Sequence, residues 1–457
     1  SIVLTLTMIT AMFAGCGKKA TEKPEATPVP TKAADATATT APTQEPEATP
    51  DISEPVTLTW YLCGSTVTDD SDVLAKANEY LKEKLNVTLK PIWGTWGDYD
   101  PNSVLAINGG DDVDMYFTSS WSAAEYNAFA RNGAWVRLDN PDNNLVEKYG
   151  SDLWEILPSV LTTGVTVDGK DGFGVYGVPA YKDCATQNCW DVNVTLLEKY
   201  GYTLDDIKNA GYFGFGDIFA KVKAGEGADF YPLLVEGMVL ERMVTNTIMV
   251  TGDSAALNVL SYYLDPTDVT KVSSYGNKLY NKFSTDAYQK FVEKTREYFN
   301  AGYIDPAMGN ANQANDARTA AQDAGKYLIG TQSYALGYEV EASARRGIEV
   351  QFVPTTDAYV DTTASQGAIF AISTASKHPD RAMMFLNLLN TDPYLMTLLE
   401  YGIEGTHYNK NADGTITFIK EKRDTYQPWR NGMGNITQLP PLDGEGAGFW
   451  DTFKAYY

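Results

Sequence analysis

Segments with the two-residue periodicity of strands alternate with helical segments along most of the chain, and this alternation limits the folds open to it. Residues 56–61 are the first predicted strand, residues 72–85 a helix, and residues 87–92 and 113–117 two more strands. Strands separated by helices favour βαβ units and a parallel sheet. The sequence therefore predicts an α/β fold.

The same alternation continues to the C-terminal part of the chain. Pro379 and Asp380 suit the first turn of a helix that runs to about Leu389, and Asp392 and Pro393 begin another. The remaining predicted elements are a strand end at 176–179, a helix from 195, a helix at 287–300, and strands at 327–330, 348–353 and 367–372. No internal repeat is evident, which argues against solenoids and propellers.

The N-terminal part has two segments that belong to no folded core. Residues 1–15 are largely apolar and end in Ala14, Gly15 and Cys16, which is typical of a signal peptide with a lipidation site at Cys16. The run is shorter than the roughly 20 apolar residues that a membrane span needs. Neither an initiator Met nor a basic region precedes it, so we expect the natural start to lie upstream.

Residues 17–55 consist mostly of Thr, Pro, Ala, Glu and Lys. Such a segment buries too little apolar surface to offset the entropy of ordering, so we predict a disordered tether. The residues from 56 onward are more than one compact core usually holds, which favours two lobes. The net charge of −23 argues against nucleic acid as a partner, because phosphate binding depends on Lys and Arg.

Metal and cofactor sites find little support. The chain has four cysteines and two histidines, so a zinc site is disfavoured, and Cys184 and Cys189 are either free thiols or a short-loop disulfide. Residues 409–414 have part of the spacing of a calcium loop, but Lys420 stands where a bidentate Glu is needed, and Asp413-Gly414 fits a hairpin turn better. Gly211, Gly214 and Gly216 lack the order of a dinucleotide fingerprint and predict a loop. We expect no cofactor.

Four segments carry a resemblance to a known family. They are 112–121 (DVDMYFTSSW), 174–193 with its YGVPAYKD core, 367–389 with KHPDRA, and 401–408 (YGIEGTHY). In these segments the chain resembles the family 1 extracellular solute-binding proteins, in the branch of long Gram-positive lipoproteins. Related chains continue beyond a Pro-Trp motif such as Pro428-Trp429, so we expect the natural C-terminus to lie further on.

The resemblance implies a two-lobe, type II periplasmic-binding-protein-like fold with a ligand cleft between the lobes. It assigns residues 56–180 plus about 340–376 to lobe one, and 181–339 plus about 377–457 to lobe two. It further implies a monomeric component of an ABC importer, lipid-anchored on the extracellular face of the cytoplasmic membrane, that binds a carbohydrate and delivers it to permease subunits.

Sugars offer a weakly polar ring face and many hydroxyls, so a sugar site needs flat aromatic rings and polar groups. In such proteins the ligand contacts come from loops that follow the strands and from the first connection between the lobes. Carried onto this sequence, the candidates are Gly64, Ser65, Ser119, Ser120, Trp121, Tyr181, Asp183, Gln332, Ser333, Tyr334 and Trp429.

Two other functions remain open at this point. The same binding role is possible for a peptide or another small solute, because the acidic composition disfavours only anionic ligands. A secreted glycosidase would need two carboxylates about 5 to 9 Å apart. The sequence singles out no such pair and contains no Gly-x-Ser-x-Gly elbow.

Overall fold

The computed structural model describes residues 51–235, 240–241, 243–244, 247–249, 260–263, 280–309, 314–355 and 358–457. Residues 51–457 form one compact unit. The predicted signal peptide, Cys16 and most of the predicted tether lie outside the described residues.

Nineteen strands and seventeen α-helices have described bounds. The strands are β1 (Val56–Leu62), β2 (Thr66–Val67), β3 (Val87–Trp93), β4 (Met115–Thr118), β5 (Asp139–Asn140), β6 (Asn143–Asn144), β7 (Thr166–Gly169), β8 (Gly172–Val175), β9 (Val178–Pro179), β10 (Asn188–Asn193), β11 (Thr247–Met249), β12 (Leu260–Tyr263), β13 (Tyr280–Asn281), β14 (Ile329–Ser333), β15 (Val350–Pro354), β16 (Ile369–Ile372), β17 (Tyr408–Lys410), β18 (Ile416–Phe418) and β19 (Tyr426–Gln427). The helices are α1 (Ser71–Leu85), α2 (Tyr99–Gly109), α3 (Tyr126–Asn132), α4 (Leu145–Tyr149), α5 (Ser151–Ile156), α6 (Ser159–Gly164), α7 (Val194–Lys199), α8 (Leu204–Gly214), α9 (Gly216–Glu226), α10 (Asp286–Asn300), α11 (Ala314–Asp323), α12 (Tyr338–Arg346), α13 (Thr362–Ser365), α14 (Pro379–Thr391), α15 (Pro393–Tyr401), α16 (Lys420–Arg423) and α17 (Phe449–Tyr456).

The larger sheet has the strand order β3-β1-β4-β16-β9. β3, β1 and β4 run parallel, and β16 pairs antiparallel with both β4 and β9. Helix α1 connects β1 to β3 and places Val73, Ala77 and Leu81 against the sheet, because residues four apart share one helix face. The predicted parallel βαβ arrangement is confirmed for these three strands.

A second sheet has the order β14-β10-β15, and both of its pairings are antiparallel. Every residue of the central strand β10 is buried. Trp190 of this strand packs with Phe215, at 5.3 Å between ring centroids, in a core that also contains Phe219 of α9 and Tyr298 of α10. This core is distinct from the one around the larger sheet.

The packing differs from the predicted lobe boundaries at two places. Helices α14 and α15 belong to the core of the larger sheet, where Phe385 lies 5.5 Å from the ring of Trp60, although residues 377–457 were predicted in lobe two. Strand β15 pairs with β10 of the second sheet, although residues from about 340 were predicted in lobe one. In both cases the apolar side chains are buried against the other sheet.

The predicted tether ends earlier than expected. The guanidinium of Arg381 donates to the carbonyl oxygen of Asp51 at 2.9 Å, and the amide of Asn86 donates to those of Ile52 and Ser53 at 3.0 Å. These hydrogen bonds fix the backbone of residues 51–53 on the folded unit. Contacts with the folded unit therefore begin at residue 51, four residues before the predicted end of the tether.

Among the described strands, two connections lead from one sheet to the other: residues 180–187 from β9 to β10, and the segment from β15 to β16, of which residues 355 and 358–368 are described. They pair with each other, because Thr186 and Tyr359 exchange both backbone hydrogen bonds, at 2.7 and 3.0 Å. The Thr186 hydroxyl also donates to the carboxylate of Asp361 at 2.6 Å. The two connections thus lie side by side.

Local predictions about glycine-containing segments had different outcomes. The loop predicted at Gly211, Gly214 and Gly216 was wrong, because these residues lie in α8 and α9, with non-helical dihedral angles only at Gly211. The hairpin at Asp413-Gly414 is confirmed by the pairing of β17 with β18, and Asp413 accepts hydrogen bonds from Thr415. In the described part of the chain, no three His, Cys, Asp or Glu side chains are grouped to hold a metal ion.

Among the described residues, Cys63, Cys184 and Cys189 are free thiols and all three are buried. The thiol of Cys184 donates to the carbonyl of Lys182 and that of Cys189 to the carbonyl of Gln332. Burial raises the pKa of Cys184 to about 12 and that of Cys189 well above its ordinary value. Because the thiolate is the reactive form, these groups should be inert in the native state.

We therefore expect a Cys16→Ser variant of the chain to show almost no reaction with a thiol reagent until denaturant is added, when three thiols should react. Mass spectrometry of labelled protein measures the count. Only one reactive thiol after denaturation without reductant would mean that two cysteines are paired.

Candidate functional site

The loops that follow three neighbouring parallel strands come together at one edge of the larger sheet. Gly64 and Ser65 follow β1, Trp96 follows β3, and the segment 119–121 follows β4. In open α/β sheets, ligands bind beyond the carboxyl ends of the strands. This edge is therefore the candidate site.

Four aromatic side chains at this edge form what we call the tryptophan cluster: Trp96, Trp121, Trp429 and Phe117. Ring centroids are 4.7 Å apart for Trp96 and Trp429, 5.9 Å for Trp96 and Trp121, and 6.1 Å for Trp121 and Trp429. Phe117 lies beneath, at 5.6 Å from Trp121 and 5.7 Å from Trp429. The rings are tilted by 38° to 71° to each other, so they do not form a flat stack.

Two rings of the cluster are open to solvent. Trp96 is 46% exposed and Trp121 is 42% exposed. Large aromatic side chains are usually well buried, and adjoining exposed ones mark binding surfaces. The indole N–H of Trp121 donates to the carbonyl of Gly367 at 2.8 Å, which holds this ring in place.

The predicted serines support the cluster from below. Ser65 is buried, and its hydroxyl accepts a hydrogen bond from the backbone N–H of Trp429 at 3.3 Å. Ser119 is also buried, and its hydroxyl accepts from the backbone of Trp121 and Ser122 at 3.3 and 2.9 Å. Ser120 donates its backbone N–H to Gln366. These hydrogen bonds hold the loops after β1 and β4 in place.

Trp429 reaches this edge through backbone pairing over a long sequence separation. Strand β19 pairs antiparallel with β2, which directly follows Gly64 and Ser65. This pairing brings residues near the C-terminal end of the chain beside the loop after its first strand. Trp429 and Trp121, predicted from different segments, are therefore neighbours.

Tyr181 and Asp183 lie in the first connection between the sheets. The carbonyl of Tyr181 accepts from the backbone N–H of Ile436 at 3.1 Å, and the carboxylate of Asp183 pairs with the ammonium of Lys182 at 2.9 Å. Burial raises the pKa of Asp183, although the neighbouring Lys182 opposes this shift. The ion pair with Lys182 thus uses part of the hydrogen-bonding capacity of the Asp183 carboxylate.

Gln332, Ser333 and Tyr334 lie at the end of β14 in the second sheet, as predicted. Ser333 is exposed, while Gln332 and Tyr334 are half-buried. The Tyr334 ring packs against Tyr456 of α17, with centroids 6.3 Å apart, and the Tyr456 hydroxyl donates to Gln187 at 2.7 Å. Tyr334 at the end of β14 therefore contacts a helix whose Phe449 and Phe453 pack in the core of the larger sheet.

Trp96 is the site residue that the sequence analysis missed. The signal was present, because Trp96 follows β3 at the same edge where the loops after β1 and β4 were selected. Asp98 and Asp100 order the neighbouring turns: Asp98 accepts from the backbone of Thr95 at 2.7 Å, and Asp100 from that of Ala123 at 3.0 Å. The two loops that carry Trp96 and Trp121 are thus tied to α2.

A buried carboxyl group lies behind the segment that carries Trp429. Glu400 is fully buried, with the guanidinium of Arg423 3.6 Å from its Oε1 atom. Burial raises the pKa of Glu400 well above its ordinary value, while Arg423 and Arg430 act against this and Glu341 adds to it. A raised pKa in the folded state means that stability is lost as pH rises from the unfolded value of about 4.3 toward the folded one.

Replacing Glu400 with glutamine should remove this pH-dependent loss. We expect the variant to gain free energy of unfolding relative to the parent as pH rises above about 4.3, with the difference shrinking below that pH. Denaturant titrations at several pH values measure the difference, and the exposed Glu404→Gln is the control. A difference independent of pH would contradict this expectation.

Comparison with known proteins finds solved structures of the same fold but no family model that matches the chain. The N-glycan transport solute binding protein of Streptococcus pneumoniae, solved in complex with Man5GlcNAc, superposes with a TM-score of 0.70 at 22% sequence identity, over 88% of this chain and 82% of that one. The chain has the solute-binding-protein fold. A human-milk-oligosaccharide-binding, ABC-transporter-associated protein of Bifidobacterium longum infantis superposes with this fold at a TM-score of 0.54 and 15% identity, over 88% and 82% of the two chains.

A sequence relative agrees with the solute-binding-protein fold. A carbohydrate ABC transporter substrate-binding protein of Streptococcus pneumoniae is 25% identical over 351 residues, 77% of this chain. The chain spans 65% of the length of that relative. The resemblance to solute-binding proteins that was stated from the sequence and the two-lobe α/β fold class are thereby confirmed. The relatives named here are substrate-binding proteins rather than glycosidases.

Proposed function

We propose that the chain is the extracellular solute-binding component of an ABC importer and that it captures an oligosaccharide on the tryptophan cluster. The observation that carries this proposal is the pair of exposed indole rings, Trp96 and Trp121, beside Trp429 at the carboxyl edge of the parallel strands. Aromatic faces stack on the apolar faces of sugar rings. The relatives whose names include carbohydrate or glycan ligands support this ligand class.

The polar groups around the two sheets fit the remaining needs of a sugar. Asp183, Gln332 and Ser333 offer acceptors and donors for hydroxyl groups, and Tyr334 adds a ring. Micromolar affinity needs about −8 kcal/mol, which a few charge-assisted hydrogen bonds of about 1.5 to 3 kcal/mol each and one or two stacked rings provide. No cofactor is needed for this role.

Capture would work by a shift in population. The paired connections 180–187 and 355–368 are the segments that would bend, so that groups on both sheets contact one ligand. The closed form would then dock on the membrane permease subunits. A monomer suffices for each of these steps.

The test of ligand capture is a thermal-shift screen of the Cys16→Ser chain against mono- and oligosaccharides, with short peptides as the comparison set. Saturable stabilisation by one sugar class, following RT ln(1 + [L]/Kd), is the expected result. Stabilisation by peptides alone would transfer the same role to a peptide ligand. Release of product from chromogenic glycosides would instead indicate an enzyme.

We also propose that Cys16 carries a lipid anchor and that residues 17–50 form the tether between this anchor and the folded unit. The support is the apolar run that ends in Ala14, Gly15 and Cys16. We expect the parent chain, expressed with a functional leader, to partition into detergent and Cys16→Ser to remain in the aqueous phase. Equal partitioning of the two would refute the anchor.

A further inference from the structure

Two rings of the tryptophan cluster each lie directly against a glycine. A Cβ atom added to Gly64 would lie 2.5 Å from Cζ2 of Trp96, and one added to Gly432 would lie 2.1 Å from Cε3 of Trp429. Carbon atoms in contact are ordinarily about 3.5 to 4.0 Å apart. No side chain fits between either backbone and its ring.

The two rings that rest on these glycines also contact each other. Their centroids are 4.7 Å apart at an angle of 65°, the closest ring pair in the cluster. Trp121 borders Trp96, and Phe117 borders Trp429 on the side of the sheet. A ring pushed away from its glycine must therefore change its position relative to its aromatic neighbours.

We propose that Gly64 and Gly432 are positioning residues that seat Trp96 and Trp429 and so set the shape of the sugar-binding surface. The inference rests on the function proposed above, but it assigns Gly64 a different role from the ligand contact expected from the sequence. Gly64 acts through the ring that covers it. Gly432 acts in the same way from a second segment of the chain.

The backbone at these glycines allows matched controls. Gly64 has a φ of +74°, and Gly201 has a φ of +73° with no atom within 4 Å of an added Cβ. Gly432 lies in a 3₁₀ turn, and Gly309 lies in another 3₁₀ turn. A Cβ added to Gly309, like one added to Gly201, has no atom within 4 Å. Alanine at each control carries a similar backbone cost and displaces no ring.

The first readout needs no sugar. We expect Gly64→Ala and Gly432→Ala to change the near-ultraviolet circular dichroism of the unliganded chain, because that signal depends on the relative orientation of coupled indole rings. Gly201→Ala and Gly309→Ala should leave the spectrum unchanged. If the spectra of Gly64→Ala and Gly432→Ala both match that of the parent, the proposal is overturned, whether or not any sugar binds.

The second readout is glycan affinity by calorimetry in a double-mutant cycle. We expect Gly64→Ala to weaken binding about tenfold or more relative to Gly201→Ala, and to cause no further loss when Trp96→Ala is already present. Losses that add in the double variant would mean that Gly64 contacts the glycan itself, which overturns the seating role.

The proposal can still be tested if one variant folds poorly, because Gly64 and Gly432 lie in separate segments of the chain. If Gly64→Ala unfolds while Gly201→Ala is stable, the cycle of Gly432→Ala with Trp429→Ala decides in the same way. A parent chain that binds no sugar would refute the proposed function, and the spectra would still decide whether the glycines seat the rings.

Discussion

Replacing Trp96 with alanine is expected to weaken glycan binding by at least about 30-fold, which corresponds to about 2 kcal/mol, while the thermal stability of the unliganded chain changes little. The ring is 46% exposed and contacts Trp121 and Trp429 at the surface of the site. Its removal therefore takes away a stacking face without opening a cavity in the core. Isothermal titration with the best sugar from the screen measures the effect.

The matched control is Phe173→Ala, which removes an even more exposed aromatic ring from the β7–β8 hairpin. This variant should bind the sugar like the parent. If Trp96→Ala also binds like the parent, the tryptophan cluster is not the sugar-binding surface. Equal losses in both variants would point to a general effect on the fold.

Replacing Arg346 with methionine is expected to lower the free energy of unfolding by about 3 to 5 kcal/mol, because it leaves a buried charge without its partner. Arg346 Nη1 donates to both carboxylate oxygens of Asp191 at 2.9 Å, and both side chains are almost completely buried. Asp191 also accepts from Tyr327 and Gln322, which together cannot neutralise its charge. Denaturant unfolding followed by circular dichroism gives the difference.

The neighbouring residue supplies the control. Arg345 pairs with Asp323 at 3.3 Å, and both side chains are about two-fifths exposed. Arg345→Met should therefore cost no more than about 1 kcal/mol, the usual value of a surface ion pair. Comparable losses at the two positions would show that the buried network contributes no more than a surface pair does.

Local patterns predicted the elements of the larger sheet well, because α1 buries one regular face and the helices α14 and α15 each begin at a proline. The strand and helix at the N-terminal end, and the two helices that begin at Pro379 and Pro393, agree with the prediction within a few residues. The predicted lobe boundaries differ from the packing of α14 and β15 because they depend on which sheet covers an apolar face. The sequence of β15 or α14 alone does not show which of the two sheets the element packs against.

The candidate site was predictable to the extent that it follows strand ends. That rule selected Trp121 and the loop at Gly64, and applied to β3 it would have selected Trp96. The rule could not separate buried supports such as Ser65 and Ser119 from exposed rings, because burial depends on tertiary packing. Neither could it show that Gly64 lies under Trp96, since that contact joins two loops.

The pairing of Thr186 with Tyr359 restricts the geometry of any movement between the sheets. One connection alone would permit twisting and sliding as well as bending. Two connections that are hydrogen-bonded side by side restrict twisting and sliding more than a single connection does, so bending across the pair is the movement that they restrict least. We therefore expect one distance, between a label on each sheet, to follow most of any opening.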